Sequence, residues 1–159
     1  MNYSKWSVSS AGNFFHNDQA FVHRKVFFLH LDDHKLFAKG LENSIIPFFP
    51  LADIINIKDG HRALRFMKDI ITDKSRIDLI ITDVNHPGLR GDEFLLQLRQ
   101  YEDKMKVPRT PAIVLSFVDA ANMPELSRPG LNMIDRYFSK AADVEDIVDA
   151  LEDIMYINK

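Results

Sequence analysis

Five short apolar runs, Val26–Leu31, Ala52–Ile57, Asp78–Thr82, Pro111–Ser116 and Ile134–Phe138, alternate along the chain with segments of helical period. The runs are rich in β-branched and aromatic residues and have polar flanks, the pattern of strands buried on both faces. Between them, apolar residues recur three and four apart: Leu36, Phe37, Leu41 and Ile45, then Ala63, Leu64, Met67, Ile70 and Ile71, then Phe94, Leu95, Leu98 and Tyr101. The last helix carries Val144, Ile147, Val148, Leu151, Ile154 and Met155 on one face, with Asp and Glu on the other. Pro47 and Pro50 end the first helix, and Asp59-Gly60 is a turn signal. The segment Phe117 to Asn132 should also carry a helix, which Pro124, Pro129 and Gly130 make short or irregular.

Strict alternation of strand and helix builds a parallel sheet covered on both faces. Right-handed crossovers then put every strand C-terminus on one edge. The fold class that follows is α/β, a flavodoxin-like doubly wound five-stranded parallel sheet of order 2-1-3-4-5, with its switch point between the first and third strands. Residues 25–159 form this domain. Residues 1–24, rich in Ser, Asn and Gly with aromatics at Trp6, Phe14, Phe15 and Phe21, form an N-terminal arm outside the repeat, either a disordered tail or a segment that docks.

At 159 residues the chain suits one domain. A net charge of −3 and a pI near 6.0 give no electrostatic footprint for nucleic acid or a membrane surface. No stretch is long and apolar enough to span a bilayer, and the N-terminus lacks a secretory apolar core, so a cytoplasmic protein is expected. The absence of cysteine removes disulfides, thiolate metal sites and cysteine nucleophiles. His30 and His34 are four apart, but the strand-to-helix break between them spoils the one-face geometry of a zinc pair.

The polar residues that end the strands matter most. Asp32 and Asp33 follow the first, Asp83 the third, Ser116 closes the fourth and Lys140 follows the fifth. A lone aspartate after a strand ordinarily caps a turn or helix. Three carboxylates converging on one edge repel each other, and they make sense around a divalent cation. An all-oxygen site with few protein ligands suits Mg²⁺. A lysine and a hydroxyl beside them complete a cradle for phosphoryl transfer, in which a carboxylate can itself be the nucleophile.

With those residues in place, the stretch from about Val26 to Met155 resembles the receiver domain of two-component response regulators, of the single-domain chemotaxis-regulator kind. The acidic pair is Asp32-Asp33; Asp83, Pro87 and Gly91 match the phosphoacceptor motif; Ser116, Tyr137 and Lys140 stand at the hydroxyl, aromatic-switch and lysine positions. The resemblance implies that Asp83 accepts a phosphoryl group from a histidine kinase or histidine phosphotransfer protein. It implies that Asp33, Asp83 and the backbone carbonyl of Asn85 ligate Mg²⁺, with Asp32 acting through water or a hydrogen bond. Lys140 would pair with a phosphoryl oxygen. Ser116 would move to the phosphoryl group, with Tyr137 rotating inward behind it. Such a domain is not a turnover enzyme; it catalyses its own phosphorylation and dephosphorylation.

Three positions depart from the family pattern. Ala141 stands where a cis-bonded proline is usual. Phe117 replaces a small residue after the strand-four hydroxyl and is expected to narrow access to Asp83. Val118 cannot orient an attacking water by hydrogen bonding, so a slowly hydrolysed aspartyl phosphate is expected. His86 is expected at the surface or an interface. Because few residues follow the last helix, the chain reads as a stand-alone receiver that binds a downstream protein target or passes the phosphoryl group onward. The alternative is a degenerate receiver-like binding or dimerisation module that works without phosphorylation. A phosphatase of the haloacid-dehalogenase type would need Asp-x-Asp after the first strand, and here the aspartates are adjacent. The aromatic arm and the face of the last two helices each offer a surface for a homodimer.

Overall fold

A computed structural model describes residues 6–8, 14–16, 25–122, 126 and 133–157. Seven strands and four α-helices are described. Strands β1 (Trp6–Val8) and β2 (Phe14–His16) pair antiparallel. Strand β3 (Val26–Leu31) is followed by α1 (Lys35–Ile45), β4 (Ala52–Ile57), α2 (Gly60–Thr72), β5 (Leu79–Thr82) and α3 (Gly91–Met105). Then come β6 (Ala112–Ser116), a 3₁₀ turn (Ala120–Asn122), β7 (Arg136–Ser139) and α4 (Val144–Ile157).

The main sheet is parallel throughout, in the order β4-β3-β5-β6-β7. Numbering its strands first to fifth recovers the order 2-1-3-4-5. Alternation of side chains along the strands divides the core in two. Leu29, Leu31, Ile80, Ala112 and Val114 pack with Ala63, Leu64 and Met67 of α2 and Phe94, Leu95 and Leu98 of α3. Phe28, Leu79, Ile81, Ile113 and Leu115 pack with Leu41 and Ile45 of α1 and Ile147, Leu151 and Ile154 of α4. Each large side chain so buried contributes about 1.5–3 kcal/mol relative to exposure, which holds the strand ends, and the polar residues on them, in fixed relative positions.

Buried polar groups at the far end are satisfied. Arg99 pairs with Glu102 at 2.7 Å and donates to the Met133 carbonyl, while Glu102 accepts from the Thr110 amide at 2.8 Å. The pair ties the end of α3 to the segments entering β6 and β7. Asp135 does similar work: its carboxylate accepts from the Ala112 amide at 2.8 Å and its own amide donates to the Ala112 carbonyl. With Asp135 engaged beside the start of β6, the last strand begins at Arg136, two residues later than its apolar pattern starts.

One sequence expectation needs correction, that for His86, while two others can be placed on the structure. The turn signal Asp59-Gly60 falls at the start of α2. Asp59 caps α2 by accepting from the Arg62 amide at 2.9 Å, and Gly60 is the first helical residue. His86 is buried, not on the surface, and its ring lies against the start of α2. Between Phe117 and Asn132, only the 3₁₀ turn Ala120–Asn122 is helical among the described residues; Pro124, Pro129 and Gly130 lie outside them. Most of the proposed arm, residues 1–24, lies outside them as well.

Candidate functional site

The loop after β5 is shaped around Asp83. Thr82 Oγ1 donates to the Asp83 carbonyl at 2.8 Å, and the Gly91 amide returns to the Val84 carbonyl at 2.9 Å. A side chain at Gly91 would begin 2.0 Å from the Asp83 carbonyl oxygen, so only glycine lets α3 start this close to the aspartate. The turn between them uses Gly88 at φ 77°, left-handed backbone that favours glycine. Gly60 is equally constrained, because its Cβ would lie 1.9 Å from the Leu89 carbonyl oxygen. The glycines of this loop therefore have a local physical cause.

Four strand ends meet here. Lys140 Nζ lies 2.6 Å from Asp32 Oδ2 and 2.7 Å from Asp83 Oδ2, and its ammonium is buried. The other oxygens are held by backbone. Asp83 Oδ1 accepts from the Val84 amide at 2.6 Å and the Asn85 amide at 3.3 Å; Asp32 Oδ1 accepts from the His34 amide at 2.8 Å. Burial pushes the Asp83 carboxyl up, but hydrogen bonds from Lys140 and Ser116, the lysine charge and the Asn85 amide together hold it below the ordinary aspartate value. That keeps Asp83 a carboxylate at neutral pH.

Ser116 and Tyr137 share a neighbour. Ser116 Oγ accepts from the Val118 amide at 3.3 Å, and the Tyr137 hydroxyl donates to the Val118 carbonyl. The two hydroxyls thus grip one residue of the loop after β6. Burial pushes the Tyr137 phenol up; its hydrogen bond with Ser116 opposes this and the Asp83 charge adds to it. Ala141 is part of a loop whose amides turn back on Ser139: Ala141 to its hydroxyl at 3.1 Å and Ala142 to its carbonyl at 2.9 Å. All described peptide bonds are trans.

Asp33 is the half-exposed member of the cluster. Its Oδ1 is shielded from solvent and accepts no hydrogen bond, although His34 Nδ1 approaches to 3.2 Å. Three carboxylates against one ammonium leave two negative charges, which one divalent cation neutralises. An undonated carboxylate oxygen and an excess of two charges fit a bound divalent metal.

Several solved structures similar in shape to this chain are receiver domains or response regulators. The receiver domain of the histidine kinase CKI1 from Arabidopsis thaliana, complexed with Mg²⁺ and BeF₃⁻, is 22% identical with a TM-score of 0.71, covering 87% of this chain and 95% of that one. The phosphorylated cyanobacterial phytochrome response regulator RcpA is 20% identical with a TM-score of 0.67, covering 86% and 97%. A Francisella response regulator receiver domain is 23% identical with a TM-score of 0.65, covering 84% and 99%. This chain has the receiver fold.

No family model matches this chain's sequence. Among curated proteins, 85 of its residues are 31% identical to the glycerol metabolism activator of Pseudomonas putida, covering 54% of this chain and 34% of that protein. The chain thus spans about a third of that relative's length. No helix among the described residues is long and apolar enough to cross a membrane.

The structure brings together Asp32, Asp83, Lys140 and Ser116, as the strand ends imply, with Asp33 beside them and Tyr137 behind Ser116. Its sequence hid other participants. His30, which reads as a packed core residue, is 2% exposed, and its Nε2 faces Asp32 Oδ2 at 3.9 Å. Burial pushes the His30 imidazole below its ordinary value, opposed by Asp32 and by the hydrogen bond with Asn56. Phe37, an apolar position of α1, lies with its ring 4.5 Å from Lys140 Nζ, and the ring of Phe117 lies 5.6 Å from the same nitrogen. The lysine therefore has two rings as well as two carboxylates around its head. The spacing of Phe37 reported only a helix; nothing in it could show which end of the sheet the ring would cover.

Proposed function

We propose that this protein is a response regulator receiver that accepts a phosphoryl group on Asp83 and signals through phosphorylation-dependent protein binding or phosphorelay. The observation that carries the reading is the Asp32–Lys140–Asp83 arrangement, at 2.6 and 2.7 Å, at the C-terminal edge of a receiver-fold sheet. Residues 25–159 are the receiver unit on this reading, and residues 1–24 an appended arm. Its partners are a histidine kinase or histidine phosphotransfer protein, a downstream protein and, through the arm or the last helices, a second copy. Its compartment is the cytoplasm.

The chemistry follows from the residues. A carboxylate oxygen of Asp83 attacks the phosphorus of a phosphohistidine donor. The new P–O bond forms as the P–N bond breaks, and the leaving imidazole keeps the electron pair. Asp33, Asp83 and the Asn85 carbonyl would hold Mg²⁺, with Asp32 acting through water; when bound, the ion neutralises phosphoryl oxygens. Lys140 exchanges a carboxylate partner for a phosphoryl oxygen and so keeps its charge compensated. The hydroxyl of Ser116 turns to the new oxygens, which releases one of the two holds on Val118. The other, from Tyr137, then sets where the loop settles. A local gain of negative charge becomes a change of loop position.

One observation favours the phosphorylation-independent binding module. Phe117 is 74% exposed at the mouth of the pocket, an apolar side chain that a protein partner would cover. Beryllofluoride separates the two readings, because it mimics the aspartyl phosphate without needing a kinase. With Mg²⁺, fluorine NMR should show bound beryllofluoride on the native protein and none on Asp83→Ala. Mg²⁺ binding without bound beryllofluoride would favour the module.

A further inference from the structure

We propose that His34 makes the acidic pocket a mixed nitrogen–oxygen metal site, which takes imidazole-seeking first-row ions of the Ni²⁺ or Co²⁺ type more tightly than Mg²⁺. The inference rests on the reading of Asp33 as a metal ligand and goes further, adding a ligand and changing the ion preferred.

Spacing is the first observation. One donor atom each from Asp32, Asp33 and His34 lie within 4.8 Å of one another. His34 Nδ1 is 3.2 Å from Asp33 Oδ1 and 3.4 Å from Asp32 Oδ1. Two donors at right angles on an ion with bonds of about 2.1 Å are about 3.0 Å apart. The imidazole nitrogen thus stands close to the separation that adjacent ligands of one small ion would have.

The second observation is independent of spacing. His30 is 2% exposed, and its Nε2 has no hydrogen-bond partner while facing Asp32 Oδ2 at 3.9 Å. A buried polar atom so placed lacks a ligand in the pocket rather than a partner in the fold. Asp33 Oδ1, the carboxylate oxygen nearest the His34 imidazole, is likewise shielded and undonated.

The third concerns what His34 does not do. It is the N-cap residue of α1, a position where the side-chain oxygen of Ser, Thr, Asp or Asn would accept from a backbone amide of the helix. Its imidazole makes no cap hydrogen bond. The side chain is turned to the acidic pair instead of to the helix it begins.

Hard Mg²⁺ gains little from nitrogen, whereas Ni²⁺ and Co²⁺ gain much. The test is calorimetric titration of the full chain, untagged, with Mg²⁺ and separately with Ni²⁺, for the native protein, His34→Asn and Asp33→Asn. Asn keeps a good cap at position 34, so the fold survives the change. Native protein should bind Ni²⁺ more tightly than Mg²⁺. His34→Asn should weaken Ni²⁺ by about 10–100-fold, on the scale of lost metal-site contacts, and leave Mg²⁺ within about twofold. The ligand-field absorption of bound Ni²⁺ should shift with the loss of a nitrogen donor. Affinities for both ions that move together, or do not move, in His34→Asn would overturn the role of His34 while Asp33 still stands as a ligand. Mg²⁺ binding that survives Asp33→Asn unchanged would remove the metal reading of the pocket and this inference with it.

Discussion

The Lys140 ammonium donates to the Asp83 carboxylate across 2.7 Å, joining residues 57 apart in sequence, and the same nitrogen lies 2.6 Å from Asp32. Both carboxylates are largely buried, so solvent compensates their charge poorly if the lysine is lost. Breaking a buried ion pair by removing one partner costs about 3–5 kcal/mol. Lys140→Met should therefore lower unfolding stability by about that much at neutral pH. Added Mg²⁺ should restore part of it by supplying the missing positive charge. Urea unfolding with and without the ion measures both; stability close to native without Mg²⁺ would contradict this role for the lysine.

His30 makes the stability pH-dependent. Burial pushes its imidazole down, while Asp32, Asn56 and Asp83 act against that shift and Lys140 reinforces it. Its folded value lies below the ordinary 6.5, so the unfolded chain takes up a proton first as pH falls. The contribution is complete above about pH 6.5 and declines as pH falls from there towards the folded value. Denaturation midpoints between pH 7.5 and 5.5 should fall more steeply for the native protein than for His30→Gln. Parallel curves would contradict it.

Phe117 stands over the lysine head with its ring largely in solvent. Its removal should cost little stability, about 0.5–1 kcal/mol for an exposed cation–π contact. Phe117→Ala should be labelled severalfold faster by a small phosphodonor, on the expectation that a ring this close to Lys140 narrows the approach to Asp83. The lifetime of the product should stay long in both proteins, since Val118 carries no group to orient an attacking water. Time-resolved intact mass reads both rates; a native lifetime of seconds would contradict the second expectation.

The sheet was legible because burial on two faces writes itself as continuous apolar runs, and β3 and β4 begin and end where those runs do. Strand ends then placed Asp32, Asp83, Ser116 and Lys140 together by topology alone. What sequence hid is what depends on side-chain direction across elements. His86 reads as a loop residue, yet it is buried because the start of α2 packs on the loop after β5, with Gly60 donating to the Pro87 carbonyl at 3.2 Å. Phe37 and His30 read as core positions, and both reach the pocket because their elements begin or end there. The Phe117–Asn132 segment lacked a regular pattern in sequence, as prolines and glycine interrupt any helical period.

The most direct test of the reading is the intact mass of the purified protein after incubation with Mg²⁺ and a small phosphodonor, beside Asp83→Asn. One phosphoryl group should appear on the native protein and be absent from the variant, and hydroxylamine should remove it as it does acyl phosphates. Equal labelling of both proteins, or none on a native protein shown separately to bind Mg²⁺ and the phosphoryl mimic, would contradict Asp83 as the acceptor.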